Sequence, residues 1–464
     1  MFVLSQGDSV ALIQSMILMV EISNNLSKAA LSRVPKVRPS WSQESSRFSD
    51  RMFLRLFRMY RQCFNCLCNR IEKAVGEKVF KSEKYLDTLR ASGASSPFGR
   101  MNHASETSCG SWIPGEAKLA MTLRYLAGAS YLDLYLWFNV SPEHILIIIR
   151  DCIKQWLCND DVFAIDFYGE VLQRSSEIER ISRDYSEKSG GIMSGCFGAI
   201  DGWLVKIKCP TLHDVNNPGK YMSRKGFFAL NVQAIVDKKK RILWRLIGEK
   251  GSAHDSTVFK NSTLYKHLML ISDELYEKRL YLVGDSAYSL RGFLLCPYDN
   301  ATSGSAEDSF NYFLSSQRIY VECAFGEVDR RFGIFWRPLE GSLQNHQFTI
   351  DACLRLHNFI VDFREGAEAL GDTGILNEIE ELEELNHNSD SFMMNNAGHT
   401  MGVYGEEERA RGRPTFDESR ERQRGLEFRD ELKASLEREG RARPERVKTS
   451  GHADRHGRII IEDE

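Results

Sequence analysis

The spacing of apolar residues divides the chain into stretches of different character. From Pro114 to Leu157 the pattern is helical: Leu119, Leu123 and Leu126 recur at i, i+4 and i+7, and Gly128 closes that segment. Ser130, followed three residues later by Asp133, suits a cap for a second short helix through Phe138. Ser141 with Pro142 opens a third, since serine favours the cap and proline the first helical position. Between Ser194 and Phe363 strand and helix signals alternate, which predicts an α/β domain. Cys196 to Lys208 reads as a strand with Phe197, Ala199, Asp201, Trp203, Val205 and Ile207 on one face. Phe227 to Val236 and Ile242 to Ile247 flank the Asp237 to Arg241 turn and read as a hairpin beside it. A helical run toward His267, capped by Asp255 or Ser256, follows; then come the short strand Tyr281 to Val283 and a closing helix from Phe348 to Phe363.

The flanks read differently. Residues 1–110 mix helical segments with Ser-rich runs, Pro39 to Asp50 and Ala91 to Cys109, that read as linkers. The apolar stretch Val10 to Val20 is too short to span a bilayer and lacks a preceding cationic region, so it reads as an amphipathic or partner-facing helix. No membrane segment is expected elsewhere. Residues 111–160 form a helix-turn-helix-like unit, residues 190–365 the α/β domain, and residues 366–464 a charged tail expected to be disordered or partner-bound. In that tail Glu378 to Glu384 is acidic and Leu426 to Leu436 has helical promise.

Composition narrows this picture. The 464 residues, 42% hydrophobic and 11% aromatic, suit a folded core, and a net charge of -3 excludes a uniformly basic nucleic-acid coat. Locally the balance reverses: residues 201–250 hold eleven Lys or Arg against four Asp or Glu. Lys206, Lys208, Lys220, Arg224 and Lys225 are therefore candidate contacts to a DNA backbone. The eleven cysteines are scattered, as in a reducing compartment; Cys63, Cys66 and Cys68 have no second ligand pair at zinc-finger spacing and read as helix-packing thiols.

Three carboxylates stand out. Asp201 interrupts an apolar strand face, where burial costs several kcal/mol unless a cation, partner or proton compensates. Asp285 follows the strand Tyr281 to Val283, at the carboxyl end where functional side chains of α/β sheets collect. Glu322 shares a helix face with Ile319, Cys323 and Gly326, and that face is expected to look inward. Each also has an ordinary reading: a turn at Asp201-Gly202, or an exposed Glu322 paired with Arg318 or Arg330. His254 and Asp255 are either an auxiliary water-orienting or ligand pair or simply helix-capping residues.

Five motifs occur in order between Pro114 and Asp362: Gly198-Ala199-Ile200-Asp201-Gly202; Arg224-Lys225-Gly226-Phe227 leading into Asn231-Val232-Gln233-Ala234; Gly251-Ser252-Ala253-His254-Asp255-Ser256; Gly284-Asp285-Ser286-Ala287-Tyr288; and Arg318 to Gly326. In this order the chain resembles the Harbinger-type transposases of the DDE superfamily and the nucleases derived from them. The resemblance implies an RNase H-like domain, a mixed sheet flanked by helices. It implies a divalent-metal-dependent endonuclease acting on DNA, with Asp201, Asp285 and Glu322 as catalytic residues and ligands of two Mg²⁺ or Mn²⁺ ions. It further implies nuclear localisation, strand transfer as a second step, and a Myb-like DNA-binding companion; a homo-oligomer is also expected. Trp203 and Leu204 depart from relatives, which often carry smaller or polar residues there. The alternatives are a domesticated, cleavage-silent DNA-binding or scaffold protein on the same fold, and a hydrolase of RNA hybrids.

Overall fold

The computed structural model describes residues 37–39, 41–77, 80, 107–109, 113–167, 172, 173, 175–370 and 416–444. The expected Val10 to Val20 helix and the acidic run Glu378 to Glu384 lie outside them. The chain divides into two compact units, one of residues up to Tyr125 with Ala129–Ile149, the other of Leu126–Gly128 with the residues from Arg150 onward.

In the first unit, α1 (Asp50–Phe57) and α2 (Arg61–Val75) gather Phe53, Phe57 and Phe64 around Trp41, with ring centroids 5.6 to 6.5 Å from the indole. Trp41 belongs to a helix, Trp41–Ser46, so the Pro39 to Asp50 run is not simply a linker. Its aromatic packing outweighs the serines around it. Cys63 and Cys68 are buried on α2, as packing thiols should be, whereas Cys66 is exposed and does not pack. The three short helices are present as α3 (Gly115–Leu126), α4 (Tyr131–Phe138) and α5 (Pro142–Asp151). Ser130 and Asp133 form a reciprocal capping box at the start of α4. Helix α5 is followed in the chain by a π-helical turn, Cys152–Leu157. Ile145, Ile148 and Ile149 are buried, while Glu143, His144, Leu146, Ile147 and Arg150 are exposed.

The second unit is built on a five-stranded mixed sheet with helices packed on it. Strand β1 (Cys196–Lys206) lies at its centre. It pairs antiparallel with β2 (Ala229–Val236), which pairs antiparallel with β3 (Ile242–Lys250). On its other side β1 pairs in parallel with β4 (Tyr281–Val283), followed by parallel β5 (Leu294–Leu295). All eight residues of β2 are buried, so this strand is covered on both faces. Before β1 comes α6 (Ser175–Ser186). The helical run after β3 is two helices, α7 (Asp255–Asn261) and α8 (Thr263–Leu270), because Ser262 ends the first and caps the second. The N-cap of α7 is His254 and carries no side-chain capping bond; Asp255 turns elsewhere.

Two long helices complete the layer. Helix α10 (Ala306–Arg331), numbered after the short α9 (Ser272–Glu277), buries Phe310, Phe313, Leu314, Gln317, Val321, Ala324, Phe325 and Val328. Trp203 of β1 stacks on Phe325 and meets Phe335 edge to face, which gives the departing tryptophan a packing role. Helix α11 (Leu343–Leu370) brings His357 and Asn358 to the β2–β3 turn. Asn358 donates to and accepts from the backbone of Ile242 at 2.8 Å each, and His357 Nε2 lies 2.8 Å from the Lys240 carbonyl.

The tail contains a surprise. Phe416–Arg438 forms a helix, α12, that packs against α10 and β5, so the expectation of disorder across 366–464 fails over this stretch. Its charge content hides a narrow apolar stripe: Phe428, Leu432 and Leu436 are buried. Phe428 packs against Tyr281 and under the Arg279 guanidinium. Gly425 lies against Arg291, whose carbonyl group would be 2.8 Å from a Cβ there.

Two outcomes test this packing. Burial and the Arg331 guanidinium push the His357 pKa from 6.5 down to about 4. The folded value is the depressed one, so the stabilisation is present above about pH 6.5 and lost as pH falls through about 4, a difference on the order of 3 kcal/mol. His357→Gln should therefore show a shallower loss of stability than the parent across that window in urea titrations; parallel profiles would refute the assignment. Phe428→Ala should cost about 3 kcal/mol and expose α12 to limited proteolysis. An unchanged cleavage pattern and midpoint would mean that the stripe does not hold the helix.

Candidate active site

Strand register assembles the site. In the parallel β1–β4 pair Ala199 is opposite Val283, so Asp285, two residues beyond, comes level with Asp201 two residues along β1. Asp285 sits where β4 has ended, its Oδ1 accepting the Ala287 amide at 3.0 Å. Asp201 Oδ1 accepts the Gly202 amide at 2.7 Å and its Oδ2 accepts Arg318 Nη1 at 3.0 Å. Asp255, at the first turn of α7, brings a third carboxylate. Its Oδ1 accepts Asn231 Nδ2 at 2.8 Å, and Gln233 Nε2 donates to its carbonyl at 2.8 Å. Gly202 makes the approach feasible, since a Cβ there would come within 2.5 Å of Asp255 Oδ1.

These carboxylates feel one another. Burial, and next the charge of Asp285, push the Asp201 pKa up to about 7, against the pull of Arg318 and the Gly202 amide; Asp255 adds to the rise. Asp285 is likewise raised by burial, while Arg318 and the Ala287 amide hold it down. Tyr288 completes the cluster: its hydroxyl is buried without a hydrogen-bond partner, and burial followed by the charges of Asp255, Asp201 and Asp285 drives its pKa well up. The aspartates thus form a half-buried concentration of negative charge that Arg318 only partly offsets.

Glu322 departs from expectation. The face it shares with Ile319, Cys323 and Gly326 looks outward: Ile319 is 46% exposed, Cys323 is exposed, and nothing lies within 4 Å of a Cβ at Gly326. The inward face of α10 is instead the Val321, Ala324, Phe325, Val328 row, whose larger apolar area wins the contact with the sheet. Glu322 remains tied to the site through Arg318, whose Nη2 lies 2.5 Å from Glu322 Oε1. His254 is exposed and takes no part in the cluster. Among the described residues no three His, Cys, Asp or Glu side chains are gathered closely enough to hold an ion as they stand. The chemistry of the donors nevertheless fits one. They are hard oxygens, buried and mutually repelling, the pattern that Mg²⁺ or Mn²⁺ relieves.

The cationic stretch resolves into two groups. Lys238, Lys239, Lys240, Arg241 and Arg245 pair with Glu187, Glu365, Glu327, Asp362 and Asp351, so this half of the local positive charge is spent inside the unit. Lys206, Lys220, Arg224 and Lys225 are exposed; Lys206 Nζ lies 5.2 Å from the Phe227 ring centre, and Lys208 pairs with Glu340 at the surface. Arg224 is close enough to lower the Asp285 pKa. Sequence reading missed Tyr288 and the weight of Arg318, although both lie inside quoted motifs, the arginine one helical turn before Glu322.

Comparison with known proteins adds an independent line. Residues 200–358 match the DDE superfamily endonuclease family. "Protein ALP1-like" of Arabidopsis thaliana is 29% identical over 203 residues, 41% of this chain and 48% of that protein. "Putative nuclease HARBI1" of Homo sapiens is 28% identical over 177 residues, 37% of this chain and 47% of that protein. The matches span about half the length of these relatives. No solved structure matches the chain significantly. Register, carboxylate cluster and family match coincide on one stretch: residues 200–358, which hold Asp201, Asp255 and Asp285, are similar to the DDE superfamily endonuclease family and to ALP1-like and HARBI1.

Proposed function

We propose that this protein is a divalent-metal-dependent DNA endonuclease of the Harbinger transposase type, with an RNase H-like domain that acts on phosphodiester bonds in the nucleus. The observation that carries the reading is the meeting of Asp201 and Asp285 at one level of the sheet, each half-buried and each raised in pKa, by burial first and against the pull of Arg318, with Asp285 adding to the rise of Asp201. Asp201, Asp285 and Glu322 are the residues to hold two Mg²⁺ or Mn²⁺ ions, with Asp255 as an auxiliary carboxylate. When bound, such ions neutralise the phosphate and lower the pKa of the attacking water.

The remaining work falls to this chain's own side chains. Asn231 and Gln233 fix Asp255, and the Ala287 amide fixes Asp285, so that these carboxylates present oxygens without first reorganising. Lys206, Lys208, Lys220, Arg224 and Lys225 hold the DNA backbone without reading its sequence. Helix α5 contributes little base reading in this proposal, because its exposed face offers Leu146 and Ile147 beside few polar groups. A Myb-like companion protein, or a second copy of the chain, would then supply target choice. A cleavage-silent DNA-binding protein is the second reading, favoured by the Arg318 ion pairs to Asp201 and Glu322.

Nicking of supercoiled plasmid should require Mg²⁺ or Mn²⁺ and be abolished by Asp201→Ala or Asp285→Ala. A product without added metal, or from either variant, would sink the endonuclease reading; intact DNA binding with no product would favour the silent one. For the backbone contacts, Lys206→Gln with Lys225→Gln should flatten the dependence of log affinity on log salt by about 1.8, two phosphate contacts' worth on duplex DNA. An unaltered slope would remove these lysines from the interface.

A further inference from the structure

Arg318 occupies the position that the proposed function needs for something else. Its guanidinium bridges two of the three carboxylates assigned to the metal, with Nη1 3.0 Å from Asp201 Oδ2 and Nη2 2.5 Å from Glu322 Oε1. It is also the strongest influence holding down the pKa of the third, Asp285. The Arg318 side chain is only 21% exposed, and that of Asp201 18%, so this pair is more than a surface ion pair, while Glu322, 47% exposed, anchors the guanidinium from the solvent side. A divalent ion demands oxygens at roughly 2.0 to 2.2 Å with little tolerance. An oxygen given over to a guanidinium N–H cannot be fully given to the ion as well. The same Asp201 and Glu322 oxygens therefore serve either the arginine or the metal.

Resting on the proposed ligand set, we propose that Arg318 is the resident counter-ion of the metal-free site and is exchanged for the incoming divalent ion. In the metal-free protein the guanidinium offsets one unit of a charge that would otherwise be left buried and unbalanced. Ion entry breaks both pairs and replaces one positive charge by two. The released fork stays tethered to α10 at the rim of the site, and its planar pair of N–H donors matches a phosphate. Arg318 thereby couples metal loading to DNA binding: it contacts the backbone only when the ion has displaced it.

Calorimetric titration with Mn²⁺ alone tests the exchange in the full-length chain. Arg318→Gln should bind Mn²⁺ about tenfold more tightly than the parent, the value of roughly 1.4 kcal/mol of competing ion pairing. Its metal-free melting temperature should fall and be restored by Mn²⁺, which separates lost repulsion relief from general misfolding. Arg318→Lys, which keeps the charge without the fork, should lie between the two. Equal or weaker Mn²⁺ binding by Arg318→Gln overturns the exchange. Asp285→Ala serves as the reference. If the parent's Mn²⁺ binding survives Asp285→Ala, the ligand set is wrong and the exchange falls with it; if binding is lost there yet equal in the parent and Arg318→Gln, only the exchange fails. For the coupling, saturating Ca²⁺ should raise the parent's affinity for a short duplex more than that of Arg318→Gln, which gains only from the ion's own charge, whereas an equal gain in both would refute the phosphate contact.

Discussion

Asp201 lies on the central strand of a sheet whose neighbours β2 and β4 are wholly buried, and a carboxylate in such a place must be balanced by a cation or by a proton. This requirement organises much of what surrounds it. The pull toward a proton is visible in the rise of its pKa to about 7, driven by burial and then by Asp285. The pull toward a cation is visible in Arg318, which reaches from α10 to meet it. The positions just before it carry no charge: Phe197, Ala199 and Ile200 on the same strand are fully buried and apolar. A sheet built this way concentrates its electrostatic tension at one point, where the parallel pair brings Asp285 alongside.

The chain's hydrophobic pattern announced much of this scaffold. Strand Tyr281–Val283 and the hairpin around Asp237 to Arg241 are where alternation put them, because buried strands leave runs that few other structures explain. The capping box at Ser130 was equally legible, being a local interaction between residues three apart. Orientation around a helix proved harder. On α10 both candidate faces carry small or apolar residues, and the face opposite Glu322 was chosen by Phe325 and Val328 meeting a sheet distant in sequence. Charge was misleading for a similar reason. Residues 201–250 look strongly basic until the acids at 187, 327, 351, 362 and 365 are brought to them by folding. Local counting cannot see partners that lie 51 to 126 residues away.

The site's legibility follows the same division. Asp201 and Asp285 owe their positions to strands, whose period of two is readable, and both are where the motifs indicated. Glu322 owes its position to a helix face, and that face turned outward. Asp255 lay in between. As a helix-start residue it invited a capping assignment, yet the cap is His254, and the Asp255 carboxylate turns to Asn231 over the gap left by Gly202. The absence of a side chain at Gly202 is thus part of the site, and the Asp-Gly pair has meaning beyond a turn.

Helix α12 extends the argument to a part of the chain far from the sheet in sequence. The segment that leaves β4 with Asp285 runs through Arg291 and β5 to Pro297, and α12 touches it at both ends. Gly425 lies against the Arg291 backbone, Arg429 Nη1 donates to the Pro297 carbonyl at 3.1 Å, and the same guanidinium lies 3.8 Å from the centre of the Tyr298 ring. A loop is ordinarily the most mobile carrier for a functional carboxylate. Here its far side is covered by a helix whose apolar stripe is too narrow to stand out among its charges, and its near side by the sheet. The segment that carries Asp285 is thus held by residues more than 130 positions downstream, so the stretch that matches the endonuclease family, ending at residue 358, is continuous in space with a segment that the match does not include.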